Sequence, residues 1–164
     1  MKGDFSRFTF KPQNRYSRVL MQQGRVQLDA DWNEQLDISA YRTAAAMEEF
    51  IGKNGAPVNP LEKAEPAFDG DINVKSTSFR ISVSDKMIFI GAGRYYVEGM
   101  LFENHQPVSF VEQPDYPDSQ FPTANGFYLA YLDVWQYHVT ALEAEDIRET
   151  ALGGADTTTR LKNI

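Results

Sequence analysis

Residues 16–34, YSRVLMQQGRVQLDADWNE, constrain the fold more than any other stretch. They hold a short apolar piece, a glycine, a second short apolar piece and the start of a helix. Residues 18–20 and 25–28 read as short strands on either side of Gly24, which supplies the backbone freedom of a tight turn. Asp31-Trp32-Asn33-Glu34 then has the acid-x-x-Glu spacing of a capping box, with Asp29 as the alternative N-cap. From about residue 32 to about residue 53, Trp32, Leu36, Tyr41, Ala44, Ala45, Met47, Phe50 and Ile51 recur at near-helical spacing. Glu48 and Glu49 fall late in the helix, where its dipole favours cations, and Lys53 is expected to offset them in part. Gly52 and Gly55 offer stops, and Pro57 and Pro60 forbid continuation.

Beyond that helix the pattern changes period. Residues 55–77, rich in Pro, Gly, Asn, Asp and Lys, read as a long surface loop. Phe79, Ile81 and Val83 alternate with Arg80, Ser82 and Ser84, the signature of a half-buried strand. Residues 87–90 and 94–102 read as further strands, and Gly91-Ala92-Gly93 as a hairpin turn between them. A second loop covers 112–126, with three prolines and two aspartates. Residues 127–140 form the most β-prone run, with Tyr128, Leu129, Tyr131, Leu132, Val134, Trp135, Tyr137 and Val139. Its odd positions are apolar or aromatic except Asp133 and read as the core face. Residues 143–152 read as a short helix stopped by Gly153-Gly154. The expected fold is α+β, with an N-terminal extended arm and a long helix packed on a mostly antiparallel β region. It divides into an arm and turn for partner docking (1–28), the helix (29–54) and a β-rich body with a short C-terminal helix (55–164), expected to be the N-terminal part of a longer protein.

Charge separates the arm from the body. Residues 1–25 hold Lys2, Arg7, Lys11, Arg15, Arg18 and Arg25 against Asp4 alone, a net +5, while the other ten basic and 22 acidic residues give −12. A cationic arm on an acidic body suits pairing with a neighbouring copy or an acidic partner surface. Nucleic acid is the weaker alternative, because the body repels phosphate and the basic residues form no dense run. Phe5, Phe8 and Phe10 alternate in part and suggest an extended segment with one adhesive face; Pro12 would interrupt a central strand. The 164 residues suit one domain, or one domain with an arm. Cysteine is absent, so neither a disulfide nor a thiolate metal site can form. MKGDFSRF is followed by polar residues rather than a signal-peptide core, and no apolar run approaches the ~20 residues of a membrane span.

The motifs that would carry chemistry fail on spacing. Asp29-x-Asp31-x-Asn33 opens like a calcium loop, but Glu34 and Ala40 stand where that loop needs glycine and a bidentate glutamate. Gly91-Ala92-Gly93 lacks the third glycine of a dinucleotide turn and leads into a strand, not a helix. His105 and His138, with Glu103 or Asp133, would be needed for zinc, as in a metal-dependent hydrolase, and nothing in their spacing enforces it. No G-x-S-x-G elbow occurs. Glu143, Glu145, Asp146 and Glu149 read as a solvated helix face. No enzyme activity, metal or cofactor is expected. Tyr131, Trp135 and Tyr137 leave a carbohydrate-binding platform as the alternative function.

Taken together, MKGDFSRFTF, YSRVLMQQGRVQLDADWNEQ, GRYYVEGMLFEN, FYLAYLDVWQYHVTALE and IRETALGG resemble an uncharacterised N-terminal domain of bacterial proteins near phage-tail-like gene clusters, including contractile injection systems. The chain is similar, more loosely, to attachment domains of phage baseplate and tail-fibre proteins. Val19, Leu20, Gly24, Arg25, Asn33 and Glu34 match one stretch of those domains, and Gly93, Tyr95, Tyr96, Val97 and Gly99 match another. The resemblance implies a non-catalytic baseplate or appendage component, assembled in the bacterial cytoplasm into a particle that is released or cell-anchored. Its implied partners are baseplate, spike or sheath proteins and further copies of itself, a trimer being favoured, with no nucleic acid and no membrane insertion. Arg7, Phe8, Phe10, Arg15, Tyr16, Arg18, Gln22, Gln23 and Arg25 are the expected partner-binding residues. Trp32, Leu36, Met47 and Phe50 are expected to be buried in helix packing, in part between chains.

Overall fold

A computed structural model describes residues 3–57, 78–84, 87–117, 119–121, 124 and 126–164. Among these residues it has one long helix and three small antiparallel sheets, an α+β fold. The loop read over 55–77 lies outside the described residues from position 58 onward.

The helix α1 runs over Asp29–Ile51. It starts earlier than the sequence pattern suggested, and no capping box forms. Leu28 is the N-cap, no side chain caps it, and its carbonyl accepts from the amides of Asp31 at 3.2 Å and Trp32 at 3.3 Å. Asp29 and Asp31 occupy the first turn, where carboxylates meet the positive end of the helix dipole. Gly52 ends the helix as expected, at φ +93°, donating its N–H to the Glu48 carbonyl at 2.8 Å. Lys53 lies past the last turn, which holds no basic residue, so the expected offset of Glu48 and Glu49 within the helix is absent. The Lys53 carbonyl instead accepts the Glu98 N–H at 2.7 Å.

That bond ties the helix end to the first sheet. Strand β1 (Asn54–Gly55) pairs with β4 (Gly93–Val97), and β4 with β5 (Met100–Asn104). Residues 94–102 are therefore two strands, not one. The sequence reading missed the turn because Glu98, at φ +49°, stands where Asn or Asp is the usual signal; Gly99 follows at φ +74°. Across the hairpin Tyr95 faces Phe102, which is buried, and Phe79 stacks on Tyr95 with ring centres 6.3 Å apart. Phe102 and Ala141 are the buried apolar residues of the body among those described, and Tyr95 and Phe79 are half-buried.

A second sheet orders β2 (Ile81–Ser84), β3 (Met87–Ile90) and β6 (Val108–Ser109). Gly91-Ala92-Gly93 is not a hairpin turn, because β3 and β4 belong to different sheets; it is the crossing between them. The Gly91 N–H donates to the Arg80 carbonyl at 2.8 Å, and the Asn104 amide to the Gly91 carbonyl at 3.1 Å. The expected alternation of β2 holds with inverted burial. Ile81 and Val83 are exposed while Ser82 is half-buried. Phe79 precedes the strand and joins Tyr95, so β2 is not held to the face that Phe79 seeks.

The third sheet joins β7 (Gln136–Val139) to β8 (Arg160–Asn163). Trp135 and Ile164 extend the ladder by exchanging both backbone bonds at 2.9 Å. The β-prone run 127–140 thus becomes a strand only over its last third. Its ladder with β8 reaches back to Trp135. The expected C-terminal helix is replaced by two 3-10 turns, Glu145–Ile147 and Thr150–Leu152. The Glu143 carboxylate accepts the Thr140 N–H at 2.9 Å and the Tyr137 hydroxyl at 2.7 Å, closing a local turn in place of helical bonds. Gly153 at φ +73° and Gly154 at φ +84° end the segment as expected.

The helix meets the β4–β5 hairpin backbone to backbone. A methyl group added at Gly99, which is buried, would overlap the Ala44 carbonyl. Gly99→Ala therefore meets both a steric overlap and an unfavourable φ, and should destabilise the protein by roughly 2–4 kcal/mol, read as a lowered midpoint in thermal or denaturant unfolding. Glu98→Gly should be tolerated.

Candidate functional site

The described N-terminal arm, from residue 3, lies along its own helix. The Ser6 N–H donates to Asp29 Oδ2 at 2.9 Å, and the Ser6 hydroxyl donates to Oδ1. The Thr9 hydroxyl donates to Glu34 Oε2. The Val19 N–H donates to Gln35 Oε1 at 2.8 Å, and Gln35 is braced by Ser39 one turn on. The Phe10 ring sits 5.7 Å from Tyr41, and the Phe5 ring lies between Phe8 at 5.3 Å and His138 at 6.1 Å. These anchors are three polar residues of the first two turns of α1, two of which, Asp29 and Glu34, the sequence pattern assigns to capping. The hydrogen bonds from Ser6, its hydroxyl first and its amide second, hold the Asp29 carboxyl below the ordinary aspartate range. Burial raises the Asp37 carboxyl, and the charge of Glu34 adds to the effect.

Anchoring the arm leaves its expected binding residues facing solvent. Arg7, Phe8, Arg15, Tyr16, Arg18, Gln22, Gln23 and Arg25 are exposed, and Phe10 is half-buried against the helix. Arg15 adopts φ +57° after a 3-10 turn at Pro12–Asn14. Gly24, at φ +70°, makes the expected tight turn, with Arg25 N–H donating to the Gln22 carbonyl at 3.3 Å. The short strands read at 18–20 and 25–28 do not form. They make no ladder with each other, and a lone two-stranded ribbon is marginal in water. Leu20 is 70% exposed and Val26 82%.

The helix is clad on one side only. Ala30 and Ile38 are buried and Ala44 meets the hairpin, while Trp32, Leu36, Ser39, Thr43 and Phe50 lie exposed on the opposite stripe. The expected burial of Trp32, Leu36 and Phe50 is thus not met within the subunit; Phe50 is 84% exposed, and Met47 is half-buried. Their spacing is that of a helix–helix seam.

A third uncovered region is the run ahead of β7. Phe127, Tyr128, Leu129, Tyr131 and Leu132 are exposed, Leu129 by 87% and Tyr131 by 82%, and Trp135 and Tyr137 are exposed to a lesser degree. The odd positions of the run are therefore not the core face.

The groups tested for chemistry do not converge. His138, on β7, shares a 2.7 Å hydrogen bond with the Thr159 hydroxyl, and His105 is exposed beyond β5. Among the described residues, no three His, Cys, Asp or Glu side chains come together to hold a metal ion. No helix of the described residues is long and apolar enough to cross a membrane.

These features define an α+β module with an anchored cationic arm and three separate uncovered apolar regions. The chain belongs to a family of unknown function (DUF6519), whose model matches residues 1–164. No curated protein and no solved structure matches it.

The Asp29 anchor is testable by pH and by mutation. A lowered carboxyl pKa means that the Ser6 bonds are in place above the ordinary aspartate range and are lost as pH falls through the lowered value. The Ser6 amide resonance should follow that titration in NMR. Asp29→Ala should speed tryptic cleavage after Arg7 several-fold while leaving the melting temperature of the body nearly unchanged.

Proposed function

We propose that the chain is a structural assembly module, a component of a phage-tail-like contractile injection particle at the baseplate or on a baseplate appendage. It acts by protein–protein contact, through the outer side of the arm and through copies of itself. The observation that carries the reading is the exposure of large apolar side chains on an otherwise ordered body. Monomers seldom leave contiguous apolar patches beyond a few hundred Å² uncovered, and larger ones mark interaction surfaces. The seam Trp32, Leu36 and Phe50 suits three helices around an axis, and an obligate interface of that kind buries over ~2,000 Å². The anchored arm contributes differently from a free tether. Its backbone is held to α1, so its arginines and Tyr16 are presented in a fixed order, which lowers the entropy lost on docking. Assembly in the bacterial cytoplasm, into a released or cell-anchored particle, belongs to the same proposal.

Deleting residues 2–15 should leave the body folded and abolish its entry into particles, read by co-purification with sheath, tube or spike proteins encoded nearby. Normal incorporation of the truncated protein would end the reading.

Exposure of Tyr131, Trp135 and Tyr137 favours a second reading, a carbohydrate-binding module whose rings stack on sugars. It predicts glycan-array binding that Tyr131→Ala and Trp135→Ala each reduce at least tenfold. An array without signal removes it.

A further inference from the structure

Adjacent residues near the tip of the arm engage different elements. Phe5 is half-buried, with its ring 6.1 Å from that of His138 on β7. Ser6, the next residue, gives both of its donors to Asp29 at the start of α1. One dipeptide therefore spans the helix and the last sheet. The Phe5 ring is also held from within the arm. The Phe8 ring lies 5.3 Å away, and a methyl group added at Gly3 would overlap the Phe5 ring.

The sheet that Phe5 reaches has two strands among the described residues, and a two-stranded ribbon alone is marginal in water. Its strand β8 is exposed throughout. Also exposed are the bonds from the Asn163 amide to the Leu101 carbonyl, at 2.9 Å, and from Lys162 Nζ to Asp115, at 2.7 Å, which tie β8 to the rest of the body. Exposed ties of this kind contribute little. The burial on this sheet lies at its other end, where His138 and Val139 are half-buried and Ala141 follows fully buried. That is the end on which Phe5 sits.

We infer that Phe5 and Ser6 form a latch between α1 and the last sheet, so that the arm tip cannot leave the helix without loosening β7 and β8. A partner that binds the outer side of the seated arm keeps the sheet closed. A partner that draws the tip off α1 loosens it, and by linkage a partner that stiffens the sheet holds the arm down. This regulation rests on the arm being the docking site of the assembly reading, but the latch itself requires only this chain.

Amide hydrogen exchange of the full chain tests the latch, with Asp29→Ala, Phe5→Ala and the two combined. Asp29 lies on the helix, so only a latch carries its loss to β7 and β8. Each single variant should speed exchange in β7 and β8 about three- to tenfold. The combined variant should be no faster than the quicker single one, because both changes open the same latch. Ser6→Ala, which leaves the helix sequence intact, should act in the same direction. Amides of the β4–β5 hairpin in the same sample should be unchanged, which shows that the fold is kept. Rates are read at named amides against that internal reference, so association through the helix stripe does not mask them. Unchanged β7 and β8 exchange in Asp29→Ala or Ser6→Ala, single effects that multiply in the combined variant, or an equal acceleration of the β4–β5 hairpin would each overturn the inference. Entry into particles is scored separately: a chain lacking residues 2–15 that still enters them ends the assembly reading and leaves these rates as they are.

Discussion

The approach of Gly99 to the Ala44 carbonyl sets the relation between helix and body. Two backbones come this close only where neither carries a side chain between them. The helix presents an alanine there, and the hairpin turns on a glycine whose left-handed conformation the tight loop also requires. The adjoining bond from Glu98 to the Lys53 carbonyl and the short β1–β4 ladder then lock the helix end to the sheet. The orientation of α1 follows, and with it which stripe of the helix is clad and which is left outward.

From that orientation comes the course of the arm. Asp29, Glu34 and Gln35, on different sides of the first two turns of α1, accept from Ser6, Thr9 and Val19 as the arm passes. Each such bond is exposed or only part-buried and individually modest. Together with the Phe10–Tyr41 and Phe5–His138 contacts they hold a segment that has no regular structure of its own. The arm is better described as a fixed ribbon with cationic side chains outward than as a tether. Its docking on the helix and its availability to a partner are compatible, because the backbone and the arginines use different sides.

What was legible in the sequence divides along the range of the forces involved. Helix, stop glycine, Gly24 turn, β3 and the Gly153-Gly154 terminus all follow from local propensity and were readable. The missed features depend on a distant partner. Glu98 adopts the positive φ of a two-residue hairpin turn, and its N–H is held by the Lys53 carbonyl, 45 positions away in the chain. Asp29 lies one residue inside the helix, with Leu28 as N-cap, and its carboxylate accepts from Ser6, 23 positions away. Residues 127–134 read as a core strand, yet among the described residues they join no ladder. The candidate surface was legible in part: the arm residues are exposed as expected, whereas the apolar stripe of the helix and the run before β7 were expected to be covered.

By itself, then, the amino-acid order determined the class of fold, the limits of the one long helix to within a few residues, and the separation of a cationic arm from an acidic body. These depend on side-chain period, glycine and proline placement and charge, which act over a few positions. Only the tertiary structure decided that the arm lies along its own helix, that the glycine pair at 91 and 93 crosses between sheets, and which apolar faces remain uncovered. Those outcomes depend on which surfaces come together in space, and a strand-prone or apolar segment carries no local record of whether its partner is present.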